Sequence, residues 1–408
     1  MTTVLISGAS IAGPALAYWL GRYGFRPTVV EIAPTLRTGG NAVDFRGPLH
    51  LGLLRKMGVL DELRAVQTGG TAMRFVDEQG RYRMEMPSDF AGGDIEVLRG
   101  ELSRILCAAA GGNTEYLFGD SIAAMTETRH GVEVTFASGT RRTFDLVIGA
   151  DGVHSNVRRL TFGPESAFVE HLGYYVAGWQ VPNDLGLSQD TSRPAAENRK
   201  QLRVTGCNVP GKLVSVGGDH RDPARAGVFV AFASPRLDYD RHDVAQQRGI
   251  LRDVFGGMGW HTPRLLAALD TAPELYFDQI CKVRTPVWSK GRIALVGDAA
   301  CGATIGGMGN GTALVEAYVL AGELAAAAGD HTIAFPRYER LVAPFARAAQ
   351  KGGETTGSFL APRTAFGLRA RDWAMNRKLF MTLTFKIAAD RSNGIDLPDY
   401  ERAAAARP

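Results

Sequence analysis

Two short apolar runs open the chain, at residues 4–6 and 28–30. They flank a helix-forming stretch at 15–23 that Gly24 ends. Unbroken apolar runs of this length suit strands buried on both faces of a parallel sheet. The pattern predicts a βαβ unit. Its turn, Gly8-Ala9-Ser10-Ile11-Ala12-Gly13, leads into Pro14, where a first helical turn tolerates the missing N–H. Residues 33–45 read as a polar loop. Residues 48–57 and 59–67 read as short helices with Leu51, Leu54 and Leu60 inward. Alternation over 71–86 around Asp77-Glu78-Gln79-Gly80 predicts a hairpin. Residues 99–110 predict an amphipathic helix with Leu102, Ile105 and Leu106 as its buried stripe.

A three-stranded meander is predicted at 121–128, 132–137 and 141–148. Strand-like segments at 167–183, 201–207, 212–218, 227–234 and 276–284, with helices at 243–255 and 262–269, then interrupt the α/β pattern and read as a separate antiparallel sheet. The polar stretch 187–200 is expected to be mobile. A strand at 292–296 resumes the α/β pattern. A glycine-rich loop follows, ending at Gly311, and then helices at 312–328, 332–352 and 369–389.

With 408 residues the chain can build two cores. A net charge of +4 without any Lys/Arg-rich run argues against nucleic acid as a partner. Cys107, Cys207, Cys281 and Cys301 lie apart with no CxxC, so neither a metal site nor a disulfide framework is expected, and a reducing cytoplasm is. No apolar run approaches the length of a membrane span. A strand starting at residue 4 is expected to leave no room for a signal peptide.

Three segments place a strand end beside loop N–H groups: 8–14, 149–155 and 297–311. Free N–H groups at a helix start, with the helix dipole, favour a pyrophosphate. Glu31 lies 18 residues after Gly13 (31 − 13), where a carboxylate accepts hydrogen bonds from an adenosine ribose. Ser10 stands in place of the second glycine of GxGxxG, and its hydroxyl is able to donate to a phosphate. A purely structural βαβ turn is the other reading of that motif alone. Arg99 stands at its helix N-terminus, against the dipole, which points to an anion or carbonyl partner. Arg37 and Arg46 are either solvated loop charges or ligand contacts.

Three motifs occur in order: GASIAGP with Glu31; Asp151-Gly152 followed by Ser155, Val157 and Arg158; and Gly297-Asp298 followed by Ala299-Ala300. With them the chain strongly resembles the FAD-dependent monooxygenases of the p-hydroxybenzoate hydroxylase type. It looks closest to the tetracycline-inactivating flavin monooxygenases and actinobacterial relatives. The resemblance implies an α/β fold. A Rossmann-like, glutathione-reductase-like FAD-binding domain would comprise 1–70, 95–165 and 286–360. An inserted antiparallel β-rich substrate domain would comprise 71–94 and 166–285, with a C-terminal linking helix and tail at 361–408.

It implies FAD as cofactor, with Gly8, Ser10, Ala12 and Gly13 at the pyrophosphate and Glu31 at the ribose. Arg37, Arg46 and Arg99 would lie at phosphate, ribityl or flavin-edge groups. Asp151, Gly297 and Asp298 belong to the same set, Asp298 on the ribityl hydroxyls. Gly307, Met308 and Gly309 would face the flavin pyrimidine, and Arg46, Gly307 and Gly309 are the flavin-proximal candidates for catalysis. The chain departs from the family pattern after Gly297-Asp298. Cys301 replaces a His, no Pro occurs before Gly311, and the loop is one residue shorter. That bears on how the flavin adduct is housed.

In this family NAD(P)H reduces FAD, O2 adds at C4a, and the hydroperoxide hydroxylates an aromatic or enolic small molecule. A polyketide-type natural product or antibiotic is such a molecule. No second dinucleotide fingerprint occurs, since the glycine-rich 255–260 reads as a turn, so NAD(P)H is expected as a transient co-substrate. Trp179, Gln180, Arg203 and Phe232 are substrate candidates because their strands should face the flavin, with ordinary sheet packing as the alternative. The competing functions are a flavin oxidase, dehydrogenase or epoxidase on the same fold, and a flavin-containing protein that sequesters a ligand. A halogenase is disfavoured by the lack of a WxWxIP segment. A monomer or homodimer is expected.

Overall fold

The apolar runs at 4–6, 28–30 and 146–148 come together as neighbouring parallel strands. The structure is a computed structural model that describes residues 1–37, 42–68, 70–87, 93–187, 203–219, 222–306, 308–377 and 394–401. β1 (Thr3–Ser7), α1 (Ala12–Arg22) and β2 (Arg26–Glu31) form the βαβ unit, β1 and β2 pairing parallel. Next come β3 (Ala42–Phe45), which falls within the stretch read as a loop, α2 (Gly47–Lys56) and α3 (Leu60–Ala65). Leu54 and Leu60 are buried as expected, whereas Leu51 is half-buried.

β4 (Ala72–Val76) and β5 (Tyr82–Met86) are the predicted hairpin. β6 (Ile95–Leu98) pairs with β3 and feeds α4 (Arg99–Ala110), whose bounds match the amphipathic pattern. β7 (Glu115–Phe118) joins the parallel sheet beside β2. It was not legible because an edge strand with only Tyr116 and Leu117 half-buried carries no apolar run.

β8 (Ile122–Thr128), β9 (Gly131–Phe136) and β10 (Arg141–Phe144) form a three-stranded antiparallel sheet. The third predicted strand divides in two at Asp145. Its carboxylate accepts the N–H of Thr3 at 2.7 Å and the Thr3 hydroxyl at 2.9 Å. The chain turns there, and β11 (Leu146–Gly149) enters the parallel sheet beside β1, followed by α5 (Asn156–Thr161).

β12 (Val169–Pro182), β13 (Arg203–Val209), β14 (Lys212–Gly218) and β15 (Arg225–Ala233) precede α6 (Val244–Phe255), α7 (Thr262–Ala268) and β16 (Leu275–Val283). They form a seven-stranded sheet of order β16-β12-β15-β14-β13-β4-β5. The expected antiparallel sheet is therefore mixed, because the β4–β5 hairpin adds to it with β4 parallel to β13. The back face packs Trp179, Phe232, Phe255 and Leu265 into one cluster under α6 and α7.

The chain returns through β17 (Ser289–Lys290), β18 (Ile293–Leu295), α8 (Asp298–Cys301), α9 (Gly309–Ala326), α10 (His331–Gly353), α11 (Thr356–Leu360) and α12 (Ala365–Met375). The six-stranded sheet has the order β17-β18-β11-β1-β2-β7. α9 starts three residues before the predicted helix, because Met308 in the left-handed region (φ +53°) caps it and Gly309 and Gly311 are helical. The C-terminal helix predicted at 369–389 is seen as α12, and residues 378–393 lie outside the described residues, as do 188–200 of the stretch expected to be mobile. Among the described residues no helix is long and apolar enough to cross a membrane.

Candidate active site

The turn after β1 is closed so tightly that two positions accept only glycine. Gly8 has φ +108°, its N–H donates to Val30 O at 2.8 Å, and a Cβ there would lie 2.5 Å from Ala150 O. A Cβ on Gly13 would lie 1.9 Å from Gly8 O. The Glu31 carboxylate accepts the N–H groups of Ala9 at 2.9 Å and Ala33 at 3.0 Å, holding both loops at the end of β2. The Ser10 hydroxyl accepts from Arg99, Nη2 at 3.0 Å and Nε at 3.2 Å. The cation that opposes the α4 dipole is thereby placed over the turn. Ala12 packs under Gly297, where a Cβ would meet it at 3.1 Å. Arg46 Nε donates to Asp44 at 2.6 Å, Arg37 is exposed, and Gly307 lies outside the described residues.

The two later motifs do different work. The Asp151 carboxylate accepts both hydroxyls of Ser7 (3.2 Å) and Ser155, and the N–H groups of Asn156 and Val157 at 3.0 Å each. It satisfies the start of α5 and ties it to β1. Its oxygens are occupied by the protein, so it positions the segment. Arg158 is fully buried and donates to Ala299 O at 3.0 Å and Val153 O at 2.6 Å, clamping this segment to α8.

Asp298 accepts no hydrogen bond from the described residues. Low-dielectric surroundings push its carboxyl up, with the nearby Arg99 guanidinium pulling against them. Gly302 and Gly309 leave its Oδ1 room, since a Cβ on either would lie 2.3 or 3.1 Å away. An acceptor left open at a helix start, beside a cation and a glycine turn, fits the ribityl and pyrophosphate groups of a dinucleotide.

Behind Asp298, buried Glu316 accepts the N–H of Gly297, and burial pushes its carboxyl well above the carboxylate range. Sequence reasoning passed over Glu316. The available signal was an acid in a helix otherwise apolar on nearly every face.

His154 was also missed. It follows Asp151-Gly152, with Nδ1 3.0 Å from Glu165 and Nε2 3.3 Å from Asp278 of β16, so it joins the two sheets. Hydrogen bonds to Asp278 and Glu165 push its pKa up to about 9. A folded pKa above the unfolded value near 6.5 means the stabilisation is complete below about pH 6.5 and lost as pH rises through about 9. Raising pH from 7 to 10 should therefore remove roughly 2.5 kcal/mol that His154→Gln lacks at the outset. Urea titrations at both pH values check this, and equal pH slopes for the two proteins would refute it.

The front face of the seven-stranded sheet turns toward this cradle. Tyr276, 46% exposed, pairs with Gly178 across β16 and β12; partial desolvation and the Asp278 charge push its phenol up while neighbouring Arg99 pulls it down. Ile280, on the same face, packs in a cluster with Ile305 of the loop after α8 and with Phe359 and Leu360 of α11. The register then puts Gly178, Phe229, Ser215 and, one row on, Gln180, Gly227, Gly217 and Val204 on that face.

Of the four substrate candidates only Gln180 belongs there, donating to Asp219 at 3.1 Å. Trp179 and Phe232 point to the back face, where Trp179 Nε1 donates to Leu265 O at 3.2 Å and Phe232 packs edge-on to Phe255. Arg203 shares a face with Cys207 of the back cluster. Alternation along a strand reverses side with every residue, so predicting the strand did not predict the face.

The FAD binding domain family matches residues 1–171. A flavin-dependent monooxygenase of Legionella longbeachae is 37% identical over 404 residues, covering 98% of each chain. An uncharacterized protein of Mycobacterium tuberculosis is 41% identical, covering 83% of this chain and 89% of its own. The crystal structure of tetracycline destructase Tet(55) superposes with a TM-score of 0.81 at 35% identity, over 97% of this chain and 98% of that one. The tight glycine turn at the start of α1, the open Asp298 carboxylate and this full-length similarity agree: the chain belongs to the FAD-binding flavin-dependent monooxygenases.

Proposed function

We propose that this monooxygenase uses NAD(P)H and O2 to hydroxylate a broad, multi-ring phenolic or enolic molecule of the tetracycline type. The observation that carries the reading is the floor of the site. Two rows of the front face carry Gly178, Ser215, Gly217 and Gly227 between the side chains of Phe229, Gln180 and Val204. A sheet face with few side chains leaves an apolar bed for a flat polycycle. The similarity to a tetracycline destructase over the whole chain supports the same class.

Bound FAD would supply hydride acceptance and activation of O2. The chain does the rest. Gly8, Gly13 and Arg99 would hold the pyrophosphate, Glu31 the adenosine ribose and Asp298 the ribityl hydroxyls. The N-terminal turn of α9 offers N–H groups that stabilise negative charge on a ring placed against it. The seven-stranded sheet excludes water from the reacting face, and Gln180 offers an amide to a polar substituent. With no second dinucleotide fingerprint, NAD(P)H binds transiently, so a correct substrate should accelerate its oxidation.

The expected result is NAD(P)H oxidation stimulated by a tetracycline or a related phenolic polycycle. Labelled O2 should leave one oxygen atom in the product. Turnover without incorporated label would replace the proposal with an oxidase or dehydrogenase. Tight binding without NAD(P)H consumption would replace it with sequestration.

A further inference from the structure

His50 is 1% exposed and belongs to no motif in the sequence. It lies in the first half of α2, four residues after Arg46, and its Nδ1 is 2.9 Å from the Arg46 carbonyl oxygen. A carbonyl only accepts, so Nδ1 carries the proton and the neutral ring presents a lone pair at Nε2. Burial favours the same neutral form. Among the described residues Nε2 has no hydrogen-bond partner. The ring lies against the first turn of α9, since a Cβ on Gly311 would lie 2.5 Å from both Cε1 and Nε2. The Phe45 ring stands edge-on to it with centroids 6.3 Å apart. A buried acceptor is thus aimed into the start of an 18-residue helix, where N–H groups have no intrahelical partners and the dipole is positive.

We propose that His50 is a positioning residue for the flavin end of the site. One ring nitrogen fixes the Arg46 backbone. The other turns its lone pair toward the N-terminal turn of α9 while the ring packs against Gly311, so the Arg46 side and the N–H donors of α9 keep one spacing. Gly311 has no side chain because the imidazole occupies that space. A merely structural histidine would be replaced best by an apolar residue of similar volume, since an unpartnered buried nitrogen costs stability.

The test compares His50→Gln, His50→Asn and His50→Leu by FAD fluorescence quenching and by thermal unfolding of the apoprotein. His50→Leu should weaken FAD binding at least tenfold while its apoprotein melts at or above the wild-type temperature. His50→Gln, which returns a polar atom near the Nε2 position, should stay within about threefold of wild type, and His50→Asn, which restores only the Nδ1 side, should lie between. Unchanged FAD affinity in His50→Leu would overturn the proposal. So would losses in all three variants that simply follow a lowered apoprotein melting temperature, because that pattern marks packing alone.

Discussion

Gly13→Ala should yield a colourless protein that does not retain FAD. The new methyl would lie 1.9 Å from Gly8 O and 3.3 Å from Ile6 Cγ2. The carbonyl cannot step aside. Gly8 is anchored by its N–H bond to Val30 O and packs against Ala150 O, which a Cβ there would meet at 2.5 Å. The clash is between backbone and Cβ, so no rotamer relieves it. The helix must draw away from the turn, which moves the N–H groups proposed to face the pyrophosphate. Destabilisation of about 3 kcal/mol or more is expected, at the upper end for overpacking of a rigid site. FAD content of the purified protein and urea denaturation of the apoprotein check both parts. A yellow variant of wild-type stability would show that the turn is looser than its geometry indicates.

Asp298→Ala should separate binding from folding. Its carboxylate accepts nothing from the described residues, and its surroundings disfavour the charge. Removing it should leave apoprotein stability unchanged or slightly raised. FAD affinity should fall by about 1.5–3 kcal/mol, the range for hydrogen bonds to a charged group, or roughly 10- to 150-fold in Kd. Titration of the apoprotein with FAD and melting curves with and without FAD make the comparison. Loss of apoprotein stability without loss of affinity would assign Asp298 to the fold, as the hydrogen bonds of Asp151 already assign that residue.

The contrast between these two aspartates shows where sequence reasoning stops. Both follow an apolar strand, Asp151 shortly before a short helix and Asp298 as the first residue of one, and both stand in a recognisable motif. Asp151 has a serine on β1 and another at the start of its own helix within reach, and these take up its oxygens. Asp298 has glycines at 302 and 309 instead, which offer space and no side-chain donor. The partners of Asp298 are set by a loop that folds back several residues later, and spacing along the chain does not encode that.

What the sequence by itself determined is the periodic and the local. Continuous apolar runs specified the parallel strands, the 99–110 stripe specified α4 to the residue, and the glycine turn with Glu31 marked the dinucleotide end. These features are legible because burial on both faces, amphipathic spacing and positive φ each constrain residue type directly. Tertiary structure alone decided which way each side chain faces and which distant groups meet. It turned Trp179 and Phe232 to the back of the sheet, broke the 141–148 run at Asp145 through contact with Thr3, and brought His50 against Gly311 and His154 against Asp278. The physical reason is common to all four. A one-residue change of register reverses a strand's faces, and a polar group buried far from its partner in sequence finds that partner only when the layers pack.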